Sequence, residues 1–132
     1  MKASASVWVG CVLSGLFVLF MLGASAAPKL MGMPIADEIM AQLGWPAGYV
    51  FGIGILELTL TLLYIYRPTS ALAAVLFMGL FGGAMATHMR AESPLFSHTL
   101  FSIYLALAMW GGLWLRDDKL RTLLPWRGKD AG

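Results

Sequence analysis

The sequence predicts an all-α fold: a four-helix transmembrane bundle with a short amphipathic interfacial helix in its first loop. Three observations predict it. Only 12% of the 132 residues are charged and 59% are apolar, whereas a soluble domain carries about 25% charged residues. Four apolar stretches are each long enough to cross the hydrocarbon core of a bilayer, which takes about 20 residues of helix. The links between them are polar and contain Pro. The length allows one domain, residues 1–132, and no separate soluble module. A net charge of only +2, spread over several segments, argues against nucleic acid as a partner.

The first span is read from Val7 to Ala26. Met1-Lys2 and the Ala24-Ser25-Ala26 triplet also fit a secretory signal. The apolar run of about 17 residues exceeds the roughly 7–15 of a signal core, so the expectation is a retained span. The second span runs from Ala47 to Tyr66 and is interrupted by one acid, Glu57. Arg67-Pro68-Thr69 forms a tight turn, because Pro disfavours helix in the residue before it. The third span runs from Ser70 to His88, and a link with Pro94 leads to the fourth, Phe96 to Leu115. The charged tail, 116–132, is expected to be partly frayed.

The first loop, Ala27 to Pro46, holds more structure. Pro34 suits the first position of a helix, Asp37 and Glu38 its first turn, and Gly44 its termination. Ile35, Ile39 and Leu43 recur every four residues, opposite Asp37 and Gln42. That pattern predicts a helix lying flat on the membrane surface and capping the bundle.

Positive charge sets the expected orientation. Of nine Lys and Arg residues, seven fall on one side (Lys2, Arg67, Arg116, Lys119, Arg121, Arg127, Lys129) and two on the other (Lys29, Arg90). The protein is therefore expected in the cell's inner membrane with both termini cytoplasmic. Trp8, Tyr66 and Trp114 fit one aromatic belt, and Trp45 and Tyr49 the other. Small residues supply packing faces in lipid. Gly48/Gly52 and Gly79/Gly83 are GxxxG pairs, able to pack within the chain or to form a homo-oligomer, and Gly111 and Gly112 are a further small-residue site.

Glu57 is the most informative residue. It lies about 15 Å by helical rise from each end of its span. A carboxylate at that depth costs about 3 kcal/mol on insertion scales and marks function by default. It is expected to be protonated, paired or facing a polar cavity. Thr61 and Tyr64, at i+4 and i+7, extend a polar face, so that Glu57, Thr61, Tyr64 and His88 form the candidate ligand-binding set. His88 ends the third span, where it can exchange a proton or bond a ligand headgroup. Glu57 and His88 differ in depth by roughly 10–15 Å on ideal helices, a gap for a ligand or water to bridge. His98 lies at a similar depth to His88, but no spacing matches a zinc motif, and no metal is expected. Arg90 and Glu92 read as a solvated surface pair. Ser14, Ser25 and Thr59 can bond back to their own helices and carry no further signal. The single cysteine, Cys11, cannot form a redox pair.

Gly52-Ile53-Gly54-Ile55-Leu56-Glu57 followed by Tyr66-Arg67-Pro68, Gly83 to Arg90, Lys29-Leu30, and Leu43-Gly44-Trp45-Pro46 together resemble the DoxX-like family of small membrane proteins. The resemblance covers roughly Val7 to Arg116 and implies a four-helix membrane fold. It also implies an association with membrane oxidoreductase systems, including thiosulfate oxidation by quinone. The function expected is a small subunit of such a system, with oxidoreductase partner subunits. It would bind a quinone-like or other lipophilic ligand near Glu57, with quinone as the candidate cofactor. Lacking a cysteine pair and a cofactor motif, the chain is not expected to be an enzyme on its own. Two alternatives are a structural or assembly subunit without a ligand, and a proton-coupled small transporter.

Overall fold

A computed structural model describes residues 4–127 of the chain. Among them there are helices and turns but no strand, and four helices are long and apolar enough to cross a membrane. We number the helices α1 (Ala5–Leu30), α2 (Pro34–Gln42), α3 (Ala47–Ile65), α4 (Ser70–Arg90), α5 (Leu95–Arg116) and α6 (Asp118–Leu123). The all-α four-helix bundle predicted from composition is the fold observed. Lys2 and Lys129 lie outside the described residues.

The first span extends one turn beyond its expected end at Ala26. Pro28 removes a backbone donor, and its ring crowds the carbonyl four residues earlier. The helix absorbs this in a π-helical segment, Phe20–Ala26, where the Ala27 amide reaches back to the Leu22 carbonyl. Past Pro28 the helix resumes and ends at Gly32, whose φ of +68° lets the Met33 amide bond the Pro28 carbonyl. Gly44 closes α2 in the same way: with φ at +86°, its own amide bonds Ala41 and the Trp45 amide bonds Met40. This is the termination that Gly44 predicts.

α1 reaches Gly54 of α3, where a Cβ would come 2.9 Å from the Lys29 Cβ. Gly54 is seven residues into α3, about 10 Å along its axis, so α1 stops well short of α3's first residue. α2 lies across this end of the bundle. Its buried residues, Ala36 and Met40, pack on Val50 and Ile53 of α3. The expected apolar face of α2 is therefore rotated. Ile39 and Leu43 line a cavity beneath the helix, and Ile35 is half exposed.

The core is aromatic. Phe17 of α1 meets Tyr64, Phe77 and Phe81 edge-on, with ring centroids 5.3, 5.2 and 6.2 Å away. Edge-to-face pairs of this kind contribute about 0.5–1.5 kcal/mol each beyond buried area. α1 and α5 cross most closely. A Cβ on Gly10 would sit 2.6 Å from the Gly112 carbonyl oxygen, and one on Gly112 would sit 2.8 Å from the Ser14 amide nitrogen. Gly112 fulfils the packing role expected of the fourth span, and Gly111 meets only Leu13. Among the described residues neither GxxxG pair makes a close helix contact: a Cβ at Gly48, Gly52, Gly79 or Gly83 would meet none of them within 4 Å.

The start of the tail is folded rather than frayed. The Asp117 carboxylate accepts hydrogen bonds from the Lys119 and Leu120 amides and caps α6. Arg121 donates to the Trp114 and Leu115 carbonyls at the end of α5, satisfying acceptors the helix leaves open.

Candidate functional site

Glu57 is paired, one of the three states expected for an acid at this depth. Lys29 Nζ lies 2.9 Å from Glu57 Oε1, with side chains only 15% and 6% exposed. The Ser25 hydroxyl donates to Glu57 Oε2 at 2.6 Å. Lys29 also donates to the Ser25 carbonyl at 3.2 Å and to Ser25 Oγ at 3.1 Å. Ser25 and Lys29 are four residues apart, so one face of α1 presents both to α3. Gly54, one turn before Glu57, lets the two backbones come close enough for the pair to close. A charge pair buried this way is tolerated because the opposite charges are in contact and each carboxylate oxygen accepts a hydrogen bond.

The pair borders a cavity of about 440 Å³. Its floor and walls are apolar, including Phe20, Met21, Leu56, Leu80, Phe81 and Leu105, and α2 with Trp45 covers one end. The polar residues on its lining are Ser25, Lys29, Glu57, Thr87, His88 and Ser102. Gly79 and Gly83, one turn apart on α4, leave room rather than filling it. A mostly apolar cavity of this size with a few convergent polar groups is the usual form of a small-molecule site, roughly 300–1,000 Å³.

Of the four residues expected to form the site, Glu57 and His88 line this cavity. Thr61 and Tyr64 do not. Thr61 is fully buried and turns its hydroxyl back to the Glu57 carbonyl, 2.7 Å away. Tyr64 points away from the cavity, towards the α6 end of the bundle. Its hydroxyl donates to the Met109 carbonyl at 2.6 Å and lies 3.0 Å from Ser14 Oγ. The Arg116 guanidinium stands 5.6 Å from its ring centroid and bonds the same serine.

His88 Nδ1 lies 2.9 Å from Ser93 Oγ, and its ring centroid is 5.9 Å from that of His98. The two histidines thus meet as expected from their similar depth. Among the described residues no three His, Cys, Asp or Glu side chains gather as a metal site would require. Arg90 does not pair with Glu92. It donates to the Leu43 carbonyl at 2.8 Å and ties the end of α4 to the end of α2.

Ser25 and Lys29 are the residues beside Glu57 that sequence reasoning passes over. Ser25 is expected to bond its own helix, as Thr59 does to the Ile55 carbonyl. Lys29, taken along the chain alone, is a loop charge on the side of the membrane opposite the tail. The available signal is a Ser and a Lys at i and i+4 closing an apolar span, opposite a membrane-depth acid in need of a partner.

A family model described as "DoxX-like family" matches residues 12–112, which include every polar residue on the cavity lining. No curated protein and no solved structure matches the chain.

Proposed function

Because the chain belongs to the DoxX-like family, we propose that this small multi-pass membrane protein holds a quinone-like or other lipophilic molecule between Glu57 and His88, as a subunit of a membrane oxidoreductase system. The observation that carries the reading is the cavity itself: a mostly apolar, partly open cavity in a membrane bundle, with an ion pair and a histidine on its wall. An apolar ligand body would gain little from leaving lipid, so selection falls to the polar groups. The oxidoreductase association rests on the resemblance of residues 7–116 and adds the expectation of partner subunits.

The test is extraction and mass spectrometry of the protein purified in mild detergent, beside a Gly83→Leu variant. Leucine at 83 has space for its Cβ, adds bulk at the cavity lining and leaves the residues of the ion pair unchanged. We expect a defined lipophile in the wild type and at least about tenfold less in the folded variant. Equal amounts of bulk lipid in both would refute the reading. That result would favour an assembly subunit, in which the Lys29–Glu57–Ser25 contacts serve as interhelical glue. The contacts that Lys29 and Ser25 make with the two oxygens of Glu57 are the observation on that side. Gly48 and Gly52, open on the surface of α3, would then be the face for a second chain.

The orientation proposed has both termini in the cytoplasm. It rests on Arg67, Arg116, Lys119 and Arg121 sharing one end of the bundle, while Lys29 and Arg90 at the other are engaged internally. In a Cys11→Ser background, a membrane-impermeant thiol reagent added to intact cells should label Ser97→Cys and spare Thr122→Cys. The opposite pattern would invert the topology.

A further inference from the structure

We infer that the Lys29–Glu57–Ser25 wall of this cavity selects neutral lipophiles that donate a hydrogen bond, such as a hydroxyl-bearing headgroup (for a quinone-like ligand, its reduced form), over carbonyl, ether or anionic ones. The inference rests on the proposed ligand site and specifies its chemistry. An ammonium has three N–H donors and no acceptor. Lys29 spends all three inside the chain, on Glu57 Oε1, the Ser25 carbonyl and Ser25 Oγ. The Ser25 hydroxyl has one hydrogen and gives it to Glu57 Oε2. The pair therefore offers an incoming ligand no free donor.

The carboxylate is different. Its two oxygens present about four lone-pair sites, and the described residues occupy two of them, one from Lys29 and one from Ser25. What remains at this wall is acceptor capacity on a charged oxygen. A hydroxyl or N–H can use it, and a hydrogen bond to a charged acceptor is stronger than a neutral one. A ketone or ether oxygen placed there would meet lone pairs. A fatty-acid carboxylate would meet the Glu57 charge with no cation to spare, because Lys29 is already neutralised. A lipophilic cation would compete with Lys29 for the same oxygens and leave one positive charge uncompensated.

The experiment uses the full chain in detergent or nanodiscs and three probes with the same alkyl chain: a primary alcohol, its methyl ether and the fatty acid. Binding is read by native mass spectrometry and by displacement. The alcohol should bind about tenfold or more tightly than either of the others, the discrimination expected when one hydrogen bond to a charged group is made or broken. In folded Glu57→Gln the alcohol-over-ether preference should shrink to within about twofold, and fatty-acid binding should rise as Lys29 is freed. Ether binding equal to alcohol binding in the wild type, or the fatty acid binding tightest, overturns the inference while leaving a ligand site in place. Unsaturable binding of all three, unchanged by Gly83→Leu, overturns the ligand site and this inference with it. The wild-type comparison needs no variant, so a Glu57→Gln protein that fails to fold does not spare the inference.

Discussion

Lys29→Met is expected to cost the folded protein about 3–5 kcal/mol, the range seen when one partner of a buried ion pair is removed and the other stays. Glu57 would keep only the Ser25 hydroxyl, about 15 Å inside its span, with no cation to balance its charge. The size of the effect comes mainly from the uncompensated carboxylate, and less from the missing Lys29–Glu57 hydrogen bond. The double variant Lys29→Met/Glu57→Leu should therefore recover most of the stability, because no charge then remains buried. Reversible unfolding in mixed micelles, or thermal melting followed by size exclusion, measures all three proteins. If the double variant is as unstable as the single one, Lys29 contributes through packing on Gly54 and not through charge.

Gly112→Ala should be, with Gly10→Ala, among the most disruptive single methyls in the described part of the molecule. The new Cβ would lie 2.4 Å from Ser14 Oγ, 2.8 Å from the Ser14 amide nitrogen and 2.9 Å from the Gly10 carbonyl oxygen. Two of those three atoms are backbone, so relief requires α1 and α5 to separate. The third holds the cluster with Tyr64 and Arg116. Overpacking costs about 1–3 kcal/mol in ordinary cores, occasionally more, and this position belongs at the upper end. Gly48→Ala, with open space around its Cβ, should be within about 0.5 kcal/mol of wild type. Unfolding both variants in the same lipid makes the comparison. Similar destabilisation in the two would mean that glycine acts here through helix propensity alone.

The spans, the turn at Arg67-Pro68-Thr69, the termination at Gly44 and the depth of Glu57 are all legible in the chain. They depend on local composition and on the length a bilayer imposes. The continuation of α1 to Leu30 is not, because Pro28 and Lys29 look like an exit from the membrane when read in one dimension. Pro28 is accommodated by the π-helical segment before it, and Lys29 by an acid on another helix, 28 residues away in sequence. Thr61 and Tyr64 share helical spacing with Glu57, and that spacing suggests one polar face. Thr61 satisfies itself on its own backbone, and Tyr64 is claimed by α1 and α5. The GxxxG pairs are legible as motifs but not as packing, since a small residue permits close approach without causing it.

By itself the sequence determined that this is a membrane protein, that it has four helices able to cross the bilayer, and that one acid there had to be protonated, paired or facing a polar cavity. Those conclusions follow from transfer energies, which depend on residue type and helix length. Only the tertiary structure decided that the partner is Lys29, that Ser25 completes the pair, and that a cavity lies between them and His88. Which side chains meet depends on where each helix starts, ends and rotates relative to its neighbours. Those relations are set by close approach at Gly10, Gly54 and Gly112, between residues far apart in the chain.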